Sequence, residues 1–166
     1  MRSSCARFDR PDAQDSLVTR SPRRTESRTT TIVTTAANAQ SVLLACLLNL
    51  GGVVTELRGR EDLQVICSGT DGSGTDGAVA LEDVYVAGRV TARPDGPRTD
   101  AARVAEGVAR GFPTAFEALA ASADAAGFRA AGIAADIGDC ASESAIEVVP
   151  VAESVSADVA FVIPAC

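Results

Sequence analysis

One junction narrows the choice of fold more than any other. The apolar run LQVICS (Leu63–Ser68) leads into a glycine-rich loop, and the loop leads into AVALEDVYVAGRVTAR. An unbroken apolar run bounded by turn residues is the pattern of a strand buried on both faces. Acids stand early in the segment after the loop and small and apolar residues follow, which predicts a helix. Strand, glycine turn and helix in sequence make the basic unit of α/β folds. The rest of the chain repeats this alternation. TTTIVTTAA (29–37) is β-branched and predicts a strand. SVLLACLL (Ser41–Leu48) predicts a buried strand, and LGGVVTELRGR predicts a short helix with Leu50, Val53, Val54 and Leu57 on one face. Helices are predicted over Arg98–Arg110, with Thr99 as N-cap, over Phe112–Ala126, with Phe116 and Leu119 on one face, and over Ala134–Ser142. AIEVVPV and DVAFVIP close the chain as strands. The expected fold class is therefore α/β, with a mostly parallel sheet and flanking helices.

The chain has 166 residues, which suggests one domain large enough for a core. Residues 1–28 carry seven of the fifteen arginines and no hydrophobic period. They read as a disordered or divergent tail, and residues 29–166 as the α/β domain. A net charge of −7 argues against nucleic acid and against an anionic membrane face. Every cation is Arg, with no Lys, and the acidic balance suits a salt-loving organism. The cysteines at 5, 46, 67, 140 and 166 are odd in number, and no two have C-x-x-C spacing. That fits a reducing cytoplasm better than a disulfide frame, and with no His it argues against zinc. SVLLACLLNLGGVV is too short for a membrane span and contains Asn49.

The loop itself is doubled: SGTDG at Ser68–Gly72 and again at Ser73–Gly77. It follows a predicted strand and precedes a predicted helix, the usual ligand position of an open α/β sheet. Glycines let backbone N–H groups face an anion, and a helix N-terminus carries partial positive charge. Asp71, Asp76, Glu82 and Asp83 add oxygens of the kind Mg²⁺ prefers. A flexible turn with solvated aspartates is the plainer reading of the same residues. Without Lys there is no nucleotide-binding P-loop, and without His no Ser-His-Asp triad. A thiolate phosphatase needs an Arg where Ser73 stands, and an EF-hand needs a Gly where Asp76 stands. Cys67 and Cys140 then read as small core residues, and Arg89 and Arg93 as ion-pairing surface.

Taken in order, the segments SVLLACLLN, VICSGTDG, ALEDVYVAG, DAARVA, ALAASADAAGFRAAGIAADIGDCA and VVP resemble the C-terminal half of the 2-phosphosulfolactate phosphatase (ComB-like) family. The resemblance spans Ser41–Pro150, about two thirds of the chain. It implies an incomplete version of a two-half α/β fold and a Mg²⁺-dependent phosphatase. The substrate would be a small phosphorylated sulfonate, 2-phospho-3-sulfolactate, hydrolysed to 3-sulfolactate on a route to coenzyme M. By position it implies Asp71, Glu82 and Asp83 as catalytic, Gly69, Thr70 and Gly72 as substrate-binding, and Asp71 and Glu82 as metal ligands. Activated water is the default nucleophile. The family's opening Asp-containing strand and its Arg-Ala-Ser/Thr-Thr turn are not found here, and TTAANA stands where the family has Asn-Gly-Thr. A half-family chain could instead be an impaired remnant that binds an anion or a protein partner, and an incomplete sheet makes a homodimer plausible. The family pattern needs one G-T-x-G, so one SGTDG unit reads as a five-residue insertion.

Overall fold

A computed structural model describes residue 36 and residues 39–60, 63–69, 79–92, 96–156 and 159–164. The predicted tail at 1–28, nearly all of the predicted strand at 29–37, the loop residues Thr70, Asp71 and Gly72, and Arg93 lie outside the described residues. Among the described residues, six helices and two strands follow one another. They are α1 (Leu50–Glu56), α2 (Leu81–Thr91), α3 (Asp100–Gly111), α4 (Ala115–Ala120), α5 (Ala123–Ala130), α6 (Asp136–Cys140), β1 (Pro150–Ser156) and β2 (Val159–Pro164).

The core gathers Leu47, Leu50, Val53, Val54 and Leu57 from α1 and its flanks, and Tyr85 and Val90 from α2. Ala109, Ala115, Ala118 and Val149 complete it. All four apolar positions predicted for α1 are buried. The tightest contact is the crossing of α2 and α3. A Cβ built on Gly88 would lie 2.1 Å from the carbonyl oxygen of Ala105, so only glycine fits there. Tyr85 is buried beside this crossing and meets Phe112 edge-on, with ring centroids 6.2 Å apart.

Local capping sets several helix starts. The side chains of Thr99, Thr114 and Ser122 each accept from the backbone N–H three residues on, at Ala102, Glu117 and Ala125. Ser122 also explains why the single helix expected over 112–126 is two. Its hydroxyl caps α5, and α4 closes one residue before it, at its C-cap Ala121. On α4 the buried residues are Ala115 and Ala118, Leu119 packs partly against the core, and Phe116 is half exposed. Phe116 therefore does not share Leu119's buried face as expected.

Several sheet expectations are corrected. The two strands pair antiparallel, from Pro150↔Pro164 to Ser156↔Val159, with a bulge between Ala152 and Ser154. A two-residue link permits only a hairpin, since a parallel crossover needs about a dozen residues. SVLLACLL forms no strand. Its backbone lies beside β1 through one antiparallel bridge, Leu43↔Val151, and bonds from Leu44 N to Pro150 O and from Ala152 N to Val42 O. The predicted AIEVVPV strand begins only at Pro150. Before that, Ser144 and Ile146 donate instead to the carbonyls of Leu47 and Leu48. Buried Asn49 holds this turn from inside, accepting from Cys46 N and donating to Leu44 O. LQVICS, expected to be a buried strand, has no ladder partner among the described residues, and Leu63, Val65 and Ile66 are exposed. Cys67 and Cys140, both expected in the core, are exposed; on α6 it is Ile137 that is buried.

Candidate functional site

The junction seen in the sequence forms in part. α2 begins at Leu81, and its N-cap Ala80 supplies no side-chain bond. Glu82 and Asp83 stand in the first turn, where the helix dipole favours acids. Asp83 reaches back to the end of the LQVICS run. Its Oδ2 accepts from the backbone N–H of Gly69 at 2.6 Å and from Ser68 Oγ at 3.3 Å. Gly69 has φ +71°, a left-handed conformation that turns its amide at little steric cost. Asp83 thus ties the entrance of the glycine loop to its exit.

Beside this tie runs an open cavity of about 880 Å³. Ser68, Glu82 and Asp83 line it, with apolar walls from Leu47, Val53, Val86 and Val90. Cys46, Cys67 and Cys140 line it too, three thiols that lie far apart in sequence. Burial first, and the charge of Asp83 second, push the Cys67 thiol above its ordinary value. That keeps the sulfur protonated, which agrees with excluding a thiolate nucleophile.

Sequence reasoning missed Asp124. It sits in the first turn of α5 behind the Ser122 cap, in the same kind of position as Glu82 in α2. The fold brings the two carboxyls close enough to act on each other. Burial pushes Glu82 above the usual glutamate range, and its own backbone N–H pulls against that. Asp124 and the charge of Asp83 push further upward. The only signal in the sequence was an acid one residue past each helix start.

Two adjacent carboxylates are a hard-oxygen donor set of the kind Mg²⁺ takes alongside waters and substrate phosphate. Among the described residues, no group of three or more Cys, Asp or Glu side chains could hold a metal ion. Glu82 and Asp124 fit Mg²⁺ in donor type, while Asp83 is engaged by Ser68 and Gly69. Arg89 forms an ion pair of 2.6 Å with Glu143 and also donates to Tyr85 OH, so the surface-pairing expectation for it is met. No helix among the described residues is long and apolar enough to cross a membrane.

Glu82 gives a test by pH. Folded Glu82 keeps its proton to higher pH than the unfolded chain does. It therefore contributes stability below the unfolded value, and that stability is lost as pH rises through the folded value. Glu82→Gln is expected to raise the melting temperature at about pH 7, with the gap closing at about pH 4. A lower melting temperature at neutral pH would show that a compensating group holds Glu82 charged.

The cavity is thus lined by acids at the start of a helix that follows, in sequence, a glycine-rich segment. The family model described as 2-phosphosulpholactate phosphatase matches residues 23–154, and the chain belongs to that family. It is 33% identical over 126 residues to a probable 2-phosphosulfolactate phosphatase of Thermus thermophilus, covering 70% of this chain and 49% of that protein. A protein of the same description from Deinococcus radiodurans is 33% identical over 121 residues, covering 69% and 48%. One from Pseudothermotoga lettingae is 36% identical over 67 residues, covering 40% and 28%. The chain thus spans at most about half the length of these curated relatives.

Proposed function

We propose that this chain is a phosphoric monoester hydrolase acting on 2-phospho-3-sulfolactate, with Mg²⁺ as cofactor. The carrying observation is the bond from Gly69 N–H to Asp83, which holds the residue leading into the glycine-rich segment against the first turn of α2, where Glu82 stands. The family match and the printed names of the relatives support the same reading.

Mg²⁺ would be held by Glu82 and Asp71, with Asp124 as a further carboxylate, and would neutralise charge on the phosphate oxygens. The chain's own residues do the rest. Asp83 holds Ser68 and Gly69, and Thr70 and Gly72 would contribute to binding the anion. Glu82, at the cavity edge, keeps its proton to higher pH than an ordinary glutamate and is the acid–base candidate among these residues. The test is phosphate release from 2-phospho-3-sulfolactate by the folded chain, with Mg²⁺ and with EDTA. Metal-dependent release is expected. Thermal stabilisation by sulfolactate without release would favour the second reading, a chain that binds its anion and does not hydrolyse it. That reading draws on the family strand and turn not found in this sequence.

A further inference from the structure

Three separate segments that line the cavity each bring one thiol to it. Cys46 comes from the turn ahead of α1, Cys67 from the run before the glycine loop, and Cys140 from the last position of α6. All three are free and exposed. The proposed reaction uses none of them. Each segment is held independently: Asn49 accepts from Cys46 N, Asp83 bonds Ser68 beside Cys67, and Ile137 is buried on α6. Three nucleophilic sulfurs thus share one open space of about 880 Å³. Exchange of a thiol with a disulfide needs a thiolate and access for the incoming molecule, and the cavity supplies the access. Gln40 and Gln64 line the same cavity, and their amides can donate to and accept from a peptide group.

We propose that this cavity is a thiol-modification site that takes the disulfide of a small peptide thiol, with Cys46 and Cys140 as the attacking groups. The cysteine gives its proton to solvent, and its sulfur bonds one sulfur of the disulfide. The disulfide's own S–S bond breaks, and the other half leaves as a thiolate with that electron pair. The adduct fills space beside Ser68, Glu82 and Asp83, so adduct and substrate exclude each other. Cys67 keeps its proton and reacts slowly. The modification does not depend on the proposed activity, whereas its effect on phosphate release rests on that reading. Oxidised glutathione is the probe, applied to the folded wild type and to a chain carrying both Cys46→Ser and Cys140→Ser, with adducts mapped by peptide mass spectrometry. The expected result is glutathionyl groups at Cys46 and Cys140 ahead of Cys67. Alkylation of Cys67 by iodoacetamide should then slow, because Cys67 lines the same cavity, and dithiothreitol should reverse the effect. Phosphate release should fall in proportion to the fraction modified, while the double variant keeps its own untreated rate. No adduct at either cysteine, or a Cys67 alkylated as fast with the adduct as without it, overturns the proposal, as does release that modification leaves unchanged. A chain that releases no phosphate before treatment would sink the activity alone, and the shielding of Cys67, which needs no variant, would still decide the inference.

Discussion

Asp83→Asn is expected to lower phosphate release by about a hundredfold while leaving the fold intact, since a misplacement of about 1 Å at a reacting centre costs on that order. Asp83 joins the first turn of α2 to Gly69 N–H at 2.6 Å and to Ser68 Oγ at 3.3 Å. A carboxylate accepting from an amide makes a charge-assisted bond, roughly twice as strong as the neutral bond an Asn oxygen would make. The weakened tie lies at the entrance of the loop that carries Thr70, Asp71 and Gly72. The substitution also removes a negative charge that pushes both Glu82 and Cys67 upward. Ser68→Ala gives up only the longer bond and should lose much less activity. Steady-state rates, read beside circular dichroism, decide the matter. A rate within a few-fold of wild type would remove Asp83 from the catalytic arrangement.

What could be read from the sequence was what local forces decide. The starts of α2 and α3 followed from acids and Thr99 near the first turn, and the buried face of α1 followed from its spacing. What escaped depended on distant partners. Glu82 meets Asp124 only because α2 and α5 are brought together, and nothing in the spacing of residues 82 and 124 encodes that. LQVICS has a strand's composition, but a strand is defined by its neighbour, and among the described residues it has none. The hydroxyl of Ser122 outweighed the helical pattern on either side of it. The doubled loop also gains a physical frame. Ser68 and Gly69 open the first copy and both bond Asp83, so that copy's first two residues are fixed against α2. Five extra residues beyond this anchor add on the order of 1 kcal/mol or less in closure entropy, so the tie can persist while the loop grows.

Gly88→Ala is expected to destabilise the protein by about 3 kcal/mol or more, at the upper end of overpacking costs. The added methyl would stand 2.1 Å from Ala105 O, 2.5 Å from Ala105 C and 2.8 Å from Ala109 Cβ. Two of these contacts are backbone atoms, which no rotamer change can move, so α2 and α3 must separate. Separation loosens Tyr85, Val90 and Ala109, all members of the core cluster. Gly107 on α3 is the internal control, with nothing within 4 Å of its built Cβ. Gly107→Ala gains helix propensity and should stabilise by about 0.5–1 kcal/mol. Opposite signs from the same chemical change would locate the constraint at the helix crossing and not in glycine content. Urea unfolding with an unchanged slope supplies the comparison. A Gly88→Ala variant within about 1 kcal/mol of wild type, a typical cost for any substitution, would mean that the crossing is not locked at this point. The glycine of the ALEDVYVAG segment, part of what made the family resemblance visible, thus has a mechanical reason for its place. It lets α2 lie against α3 closely enough to bury Tyr85 and Val90 beside Ala109.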